Sequence, residues 1–325
     1  MNKIAQIEMV SLDMLVPEGH NYRKFGEVFD FGKIEYRLKK LEKSTGRTGY
    51  GMVRLFKCLL YQFMEDLSDR QMEEAVKTNV ICKWFCGFGL SEKTPDHTLF
   101  TVARQKIGTS KLSKLFSIMK EQLQEKGYMS EVFTFVDSSH LIARANIWTE
   151  RDKAIKERYD KLNNEVLPKI ARDKDARLGC KGKDKFWYGF KKHVSVDMQS
   201  GLINKVAVTA GNVNDAKALK HICPKEGAVF GDKGYCTKHA RDIAARRGVH
   251  LSAIRMNNMK SKNKDQDKWY SKLRSPYERV FSKCNKRTKY LGIAKNQFAE
   301  VMWAIAFNLK RLIALPPPNV EASGG

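Results

Sequence analysis

The segment EVFTFVDSSH, residues 131–140, decides how this chain folds. Its apolar, β-branched and aromatic residues form a run that is too short for a helix, which is typical of a strand buried on both faces. An acid, Asp137, follows at once. Since a carboxylate at the end of a buried strand is costly to desolvate, it needs a positive partner, and a divalent metal suits oxygen ligands best. The segment therefore predicts a strand that brings one carboxylate to an active site.

Two later segments supply further acids. The short apolar run at residues 228–231 precedes Asp232, and glycines on either side of the Asp232–Lys233 pair allow a tight exit from a strand. Glu278 lies at the predicted start of a long helix, which we place near Pro276. Three acids on separate elements are typical of a site that transfers phosphoryl groups with two metal ions.

Each acid also has an ordinary structural explanation. Asp137 and Asp232 could be simple strand-end or turn aspartates, because Asp232 opens the turn-forming sequence DKG. Residues 275–278, SPYE, fit a capping box with proline at the first helical position, so Glu278 is either a cap or a ligand. A serine nucleophile at Ser138 or Ser139 is disfavoured because no glycine elbow surrounds them.

The charge of the chain indicates its partner. Lys and Arg total 60 against 36 Asp and Glu, a formal net charge of +24, which favours a nucleic acid over the alternatives of a merely basic enzyme or a binder of anionic membranes. The seven cysteines include no CxxC pair, which indicates a reducing compartment and disfavours a zinc site. With no signal-like N-terminus and no apolar run of membrane-spanning length, we expect a cytoplasmic protein that does not contact the membrane.

The pattern divides the chain into three parts. Residues 1–125 are predicted to be helical, residues 126–315 to form a mixed sheet with helices, and residues 316–325 to be a tail, interpretable as an expression remnant. The helical part either reads DNA through a helix in the major groove or serves as a packing and dimerisation bundle.

A basic segment follows the first strand. Residues 186–196 alternate as a strand, and residues 202–209 form its predicted antiparallel partner. Lysines and aromatic rings are interleaved here, and we assign the DNA contacts to the lysines rather than to the rings, since half of the rings must face the core. The residues predicted to contact DNA on this segment are Lys181, Lys183, Lys185, Lys191, Lys192 and His193.

The remaining elements complete the fold class. We predict one helix over residues 150–167 that Pro168 ends, a short helix over residues 216–222 that Asn214 and Asp215 cap, a mobile lysine-rich loop over residues 256–270, and a last helix over residues 294–312. Three antiparallel strands followed by helix, strand, helix, strand and a C-terminal helix give a ribonuclease-H-like mixed sheet with helices on both sides.

Five blocks of this sequence carry a family resemblance. TFVDSSH, GCKGKDKFWYGFKKHVSVD, GLINKVAVTAGNVNDA, VFGDKGY and SPYERVF resemble the catalytic domain of bacterial DDE transposases of the insertion-sequence-five type. The N-terminal segments GRTGYGMVRLFKCLLYQFMEDLSDRQMEEAV and PDHTLF resemble the helical domain of the same family. The resemblance implies that Asp137, Asp232 and Glu278 are the catalytic acids and that they hold two Mg²⁺ ions, for which Mn²⁺ would substitute.

The resemblance also implies DNA contacts around the glutamate. Arg274 keeps the family spacing, one turn before Glu278, whereas Tyr270 and Lys286 each lie one residue from the family positions. These residues are expected to contact phosphates at the transposon ends, and we add Lys233, beside the second acid.

The implied activity is transposition. Such an enzyme binds terminal inverted repeats, cleaves at the element ends and joins the 3′-OH ends to target DNA, as a homodimer in the synaptic complex. Two alternatives stay open, a metal-dependent nuclease on the same fold and a DNA-binding protein whose catalytic site has decayed.

Overall fold

The computed structural model describes residues 9–42, 49–182, 184–260, 262–282 and 286–316. Lys183 and residues 317–325 of the predicted tail therefore lie outside the described residues. The chain divides into two units, Met1–Gln122 with Leu312–Ala314 and Leu123–Arg311 with Leu315–Gly325. Within the described ranges, no helix has the length and hydrophobicity required to cross a bilayer.

The first unit contains helices. They are α1 (Asn21–Val28), α2 (Gly32–Lys39), α3 (Met52–Met64), α4 (Asp69–Thr78), α5 (Val80–Cys86) and the start of α6 (His97–Glu125). Most of α3 is buried, as its continuous apolar face predicts. The capping box of α4 is complete, because Ser68 Oγ accepts from the Gln71 amide while the Gln71 side chain accepts from the Ser68 amide.

The second unit is built on one six-stranded mixed sheet. Its strands are β1 (Phe133–Ile142), β2 (Arg177–Lys181), β3 (Lys185–Asp197), β4 (Ile203–Ala210), β5 (Ala228–Gly231) and β6 (His250–Ala253). The hydrogen-bonded order is β2-β3-β1-β5-β6, with β4 also paired to β3. Strand β3 pairs in the antiparallel direction with β1, β2 and β4. The pairs β1–β5 and β5–β6 are parallel.

Helices cover both faces of this sheet. They are α7 (Ile147–Lys156), α8 (Leu167–Ile170), α9 (Asp215–Ile222), α10 (Lys238–Ala245), α11 (Lys264–Ser282) and α12 (Ile293–Ile313). Val136 packs in a core with Leu219 of α9 and Ile243 of α10. Its neighbour Phe135 instead faces Tyr277 of α11, with ring centroids 6.2 Å apart. This arrangement confirms the predicted ribonuclease-H-like fold class.

Several predicted element boundaries are wrong. The helix predicted over residues 150–167 ends at Lys156, and Pro168 lies in the first turn of the separate helix α8, where its missing amide removes no bond. Helix α11 begins at Lys264, so part of the predicted loop is helical and Pro276 lies inside the helix. Strand β2 was not predicted, because its five residues show no clear apolar alternation.

The face of β3 that meets α12 buries a lysine. Lys192 is 1% exposed, its Nζ donates to Glu300 Oε2 at 2.6 Å, and it lies 4.1 Å from the centroid of the Trp303 ring. A buried charge is tolerated only when it is paired, so this ion pair and the ring together hold the ammonium group. The lysine ties the centre of the sheet to the last helix.

We expect Lys192→Met to lower the free energy of unfolding by about 3–5 kcal/mol, because it leaves Glu300 buried without its cation. Urea denaturation measures this change. The double variant Lys192→Met with Glu300→Gln should recover much of the loss. Lys185→Met, an exposed position on the same strand, is the control and should change stability by no more than about 0.5 kcal/mol. If Lys192→Met and Lys185→Met changed the free energy of unfolding equally, the structural role of Lys192 would be contradicted.

Candidate active site

The parallel pairing of β1 with β5 sets the site. In this register Phe135 lies opposite Phe230, and Asp137 and Asp232 each follow two residues later at the same edge. The prediction that Asp137 lies at the end of its strand is wrong, because β1 continues to Ile142 through its antiparallel pairing with β3. The strand end that matters is that of β5, which exposes the edge of β1 at Asp137.

Asp137 is a carboxylate in an unfavourable environment for its charge. Its side chain is 22% exposed, and its Oδ1 accepts from the Ser138 amide at 2.7 Å. Burial and then the nearby charge of Asp232 raise the pKa of Asp137 to about 7, against the opposing influence of that hydrogen bond, Arg274 and Lys181. Two neighbouring acids are thus only partly compensated by the cations around them.

Asp232 is fixed by the tight turn that follows β5. Its Oδ1 accepts from the Gly234 amide at 2.8 Å, which caps the short 3₁₀ turn Lys233–Tyr235. A Cβ on Gly231 would lie 2.9 Å from Cδ2 of Tyr235, so only glycine allows the ring to close over the strand end. Gly231, one of the two glycines predicted to permit the exit from the strand, is therefore required by packing.

Helix α11 brings Glu278 and Arg274 to this edge. Nη2 of Arg274 lies 4.0 Å from Oδ2 of Asp137 and 3.6 Å from Oε1 of Glu278. Arg274 is buried, and its guanidinium carbon lies 5.3 Å from the centroid of the Phe135 ring. The capping interpretation of Glu278 is wrong, because the residue lies well inside α11.

Asp137 and Asp232 influence each other directly, whereas Glu278, the third predicted acid, lies apart from them. Asp137 and Asp232 lie within each other's electrostatic field, whereas the carboxylate of Glu278 is 57% exposed and is separated from Asp137 by the Arg274 guanidinium. Among the described residues, no group of three or more His, Cys, Asp or Glu side chains is arranged to hold a metal ion. The oxygen-only donor set and the raised pKa of Asp137 nevertheless fit a divalent cation, which would relieve the repulsion between the two aspartates.

Four of the nine predicted DNA-contacting residues within the described ranges are exposed at the surface. Lys181, Lys185, Lys233 and Lys286 are exposed, and Tyr270 is half-buried with its ring 5.9 Å from that of Phe230. The Lys286 carbonyl accepts from the Ile142 amide at 2.7 Å, which ties this segment to the end of β1. Burial lowers the pKa of His140 on β1, and the charges of Lys286, Lys181 and Lys185 lower it further, so these three cations lie near that strand.

Three predicted contacts on β3 have other surroundings. Lys192 is paired inside the core, and His193 is fully buried with its Nε2 2.9 Å from Thr209 Oγ1. The prediction that these two residues contact DNA is wrong, because strands on both sides and helices on both faces enclose the middle of β3. Lys191 donates from Nζ to Asp215 Oδ1 at 3.0 Å and is largely buried.

Sequence reasoning missed two polar residues near the acids. Asp215 is predicted only as part of a helix cap; it is the first residue of α9, and residues 211–214 separate it from the end of β4, whereas Asp232 directly follows β5. Tyr235 is fully buried, and burial together with the charges of Asp215, Asp137 and Asp232 raises the pKa of its hydroxyl. Its sequence context, an aromatic residue after a turn, carries no sign of this position.

Comparison with known families gives two matches. The Transposase domain (DUF772) model matches residues 10–106, and the Transposase DDE domain model matches residues 130–309.

Solved structures similar to this chain include transposases bound to DNA. One is the piggyBac transposase synaptic complex with hairpin DNA, with a TM-score of 0.43 and 10% identity over 90% of this chain and 74% of that chain. Another is the Mos1 transposase paired-end complex with the left transposon end, with a TM-score of 0.19 and 8% identity over 84% of this chain and 81% of that chain.

The raised pKa of Asp137 predicts a pH dependence of stability. Unfolding returns this group to its ordinary pKa near 3.8, so from about pH 4 to about pH 7 the folded state holds a proton that the unfolded state releases. The contribution therefore stabilises the metal-free protein below this window and is lost as the pH rises through it.

Asp137→Asn lacks this dependence. We expect its stability relative to the wild type to rise by about 1–3 kcal/mol between about pH 4 and about pH 8 in the presence of a chelator. Chemical denaturation at a series of pH values measures the difference. A difference that stays constant across that range would show that the pKa of Asp137 is not raised.

Proposed function

The chain belongs to the transposases that carry a DDE domain, and from this premise we propose that it moves an insertion sequence. It would bind the terminal inverted repeats, cleave DNA at the element ends and join the 3′-OH ends to target DNA. The observation that carries the proposal is the register of β1 and β5, which aligns Asp137 with Asp232 inside the matched domain. We also propose that it acts in the cytoplasm, at the nucleoid.

The three acids are assigned to metal binding. Asp137, Asp232 and Glu278 would hold two Mg²⁺ ions, or Mn²⁺ in their place, and these cations would supply Lewis-acid catalysis of phosphoryl transfer. Ser138 supports the arrangement through its amide, which holds one oxygen of Asp137, and the Gly234 amide does the same for Asp232. These two hydrogen bonds orient the aspartates before any substrate binds, so less reorganisation is needed when the reaction begins.

The remaining residues are assigned to DNA. Arg274, with the exposed cations Lys181, Lys185, Lys233 and Lys286, would neutralise backbone phosphates, and Lys183 belongs to the same segment. Tyr270, on the α11 face that carries Arg274 one turn later, would contact the transposon end beside them. We further propose that residues 1–125 recognise DNA or mediate dimerisation, that residues 126–315 form the catalytic domain, and that a homodimer brings the two ends together.

A strand-transfer assay tests the catalytic assignment. Intact protein with Mg²⁺ and the element's own terminal repeats should give end-joined products. Asp137→Ala, Asp232→Ala and Glu278→Gln should each lower product formation by about 10³-fold or more while DNA binding survives, since each removes a metal ligand. Asp242→Asn, an exposed acid on α10, is the matched control and should keep full activity.

The failures of this assay are distinguishable. Cleavage without joining would establish the nuclease alternative, and DNA binding without metal-dependent chemistry would establish the decayed one. If Glu278→Gln alone keeps its activity, then Glu278 is not the third metal ligand and another residue fills that role.

The lysines of the β2–β3 segment should determine the salt dependence of DNA binding. We expect the double variant Lys181→Ala with Lys185→Ala to reduce the slope of log K against log salt by roughly two, because each lost phosphate contact removes a slope of about 0.9. Fluorescence anisotropy on a terminal-repeat duplex between about 50 and 200 mM salt measures the slope. Lys217→Ala with Lys238→Ala, exposed lysines on α9 and α10, is the control. If the Lys181→Ala with Lys185→Ala variant has the same slope as the wild type, then these two lysines do not contact DNA phosphates.

A further inference from the structure

Asp215, at the first position of α9, is an acid that the three proposed ligands leave out. Its Oδ1 accepts from Lys191 Nζ at 3.0 Å and lies 4.0 Å from Nδ1 of His193. The carboxylate is therefore held on one side by a largely buried cation. Its second oxygen is directed elsewhere.

That second oxygen reaches the turn that carries Asp232. A Cβ placed on Gly234 would lie 3.0 Å from Oδ1 of Asp232 and 3.4 Å from Oδ2 of Asp215. One oxygen from each carboxylate thus borders the space that a side chain on Gly234 would fill. Two carboxylates in such proximity repel each other unless positive charge or hydrogen-bond donors lie between them.

Buried polar groups beside this cluster point to a further ligand. The hydroxyl of Tyr235 is fully buried and has no hydrogen-bond partner within the described part of the chain, and the carboxylates of Asp215, Asp137 and Asp232 all act on it. The Nδ1 atom of the buried His193, which faces Asp215, is likewise unpaired among the described residues. Because a buried polar group without a hydrogen-bond partner destabilises the folded state, such groups are rare unless a site uses them.

We propose that Asp215 is a fourth acid of the active site, which accepts hydrogen bonds from water on the divalent cation at Asp232 and so positions that carboxylate. This inference rests on the proposed function. Asp215 is not assigned as a direct ligand, because Lys191 engages its Oδ1 and places a positive charge beside it. A positioning acid of this kind orients the ligands and strengthens metal binding without touching the metal.

The test measures the affinity of the full chain for Mn²⁺ in the absence of DNA, with electron paramagnetic resonance as the detection method. Wild-type protein should bind Mn²⁺, and Asp137→Asn should abolish binding. Asp215→Asn should weaken the affinity by roughly 10- to 100-fold, the range typical of residues that support metal ligands. Asp215→Glu should restore part of the affinity, and Asp242→Asn should leave it unchanged.

Lys191→Met separates this role from a purely structural ion pair. If Asp215 serves only to pair with Lys191, then Lys191→Met and Asp215→Asn should weaken Mn²⁺ binding alike. If Asp215 faces the cation, removing the lysine charge should leave the affinity equal to the wild type or higher, since nearby positive charge opposes cation binding.

Either of two results would overturn the inference alone. They are an Asp215→Asn affinity equal to the wild type, and equal losses in Asp215→Asn and Lys191→Met. A wild-type protein that does not bind Mn²⁺, or that binds it equally well after Asp137→Asn, would overturn the proposed function together with the inference.

Discussion

The parallel register between β1 and β5 brings Asp137 and Asp232 to the same edge of the sheet, and the electrostatics of that edge depend on the burial of Asp137 and on the repulsion between the two acids. Burial, and then the charge of Asp232, raise the pKa of Asp137 to about 7, because the surrounding donors and cations compensate its negative charge only in part. The Ser138 amide and the Arg274 guanidinium provide part of this compensation. A β-sheet can hold two such residues because its register is fixed by hydrogen bonds along the whole strand, so the repulsion cannot be relieved by a small shift.

Lys191, Lys192 and His193, three consecutive residues of β3, show how one strand separates different functions. Lys191 and His193 face Asp215, whereas Lys192 projects to the opposite face and pairs with Glu300. The alternation of side chains along a strand makes this separation unavoidable. The electrostatic support of the active-site edge and the attachment of α12 to the sheet are consequently built from neighbouring residues.

The sequence predicts the parts of this unit that depend on local pattern. The strand with Asp137 and the strand before Asp232 are predicted from short apolar runs, and the last helix from its helical apolar periodicity. Each pattern favours one type of element, and the structure confirms the existence and order of all three. The start of α11 could not be predicted, because Pro276 normally marks a helix start and only tertiary packing makes it an interior residue. The burial of Lys192 could not be predicted either, since alternation shows that Lys191 and Lys192 face opposite ways but not that α12 brings Glu300 and Trp303 against the middle of β3. Asp215 was assigned to a cap because its position beside Gly234 depends on the packing of α9 against the end of β5.

Arg274 lies between two of the acids that we propose hold metal, and it is also a proposed DNA contact. Its guanidinium lies between Asp137 and Glu278, so any cation held by both carboxylates competes with it for the same negative charge. Burial of Arg274 sharpens this competition, because a guanidinium removed from water depends on its protein partners, and its Nε is unpaired within the described chain. Under the proposed function, binding of cations to the acids would weaken the attachment of Arg274 to them, and by thermodynamic reciprocity an anion that attracts Arg274, such as a backbone phosphate, would strengthen cation binding. The proposed metal and DNA binding at this edge would thus be coupled through one side chain.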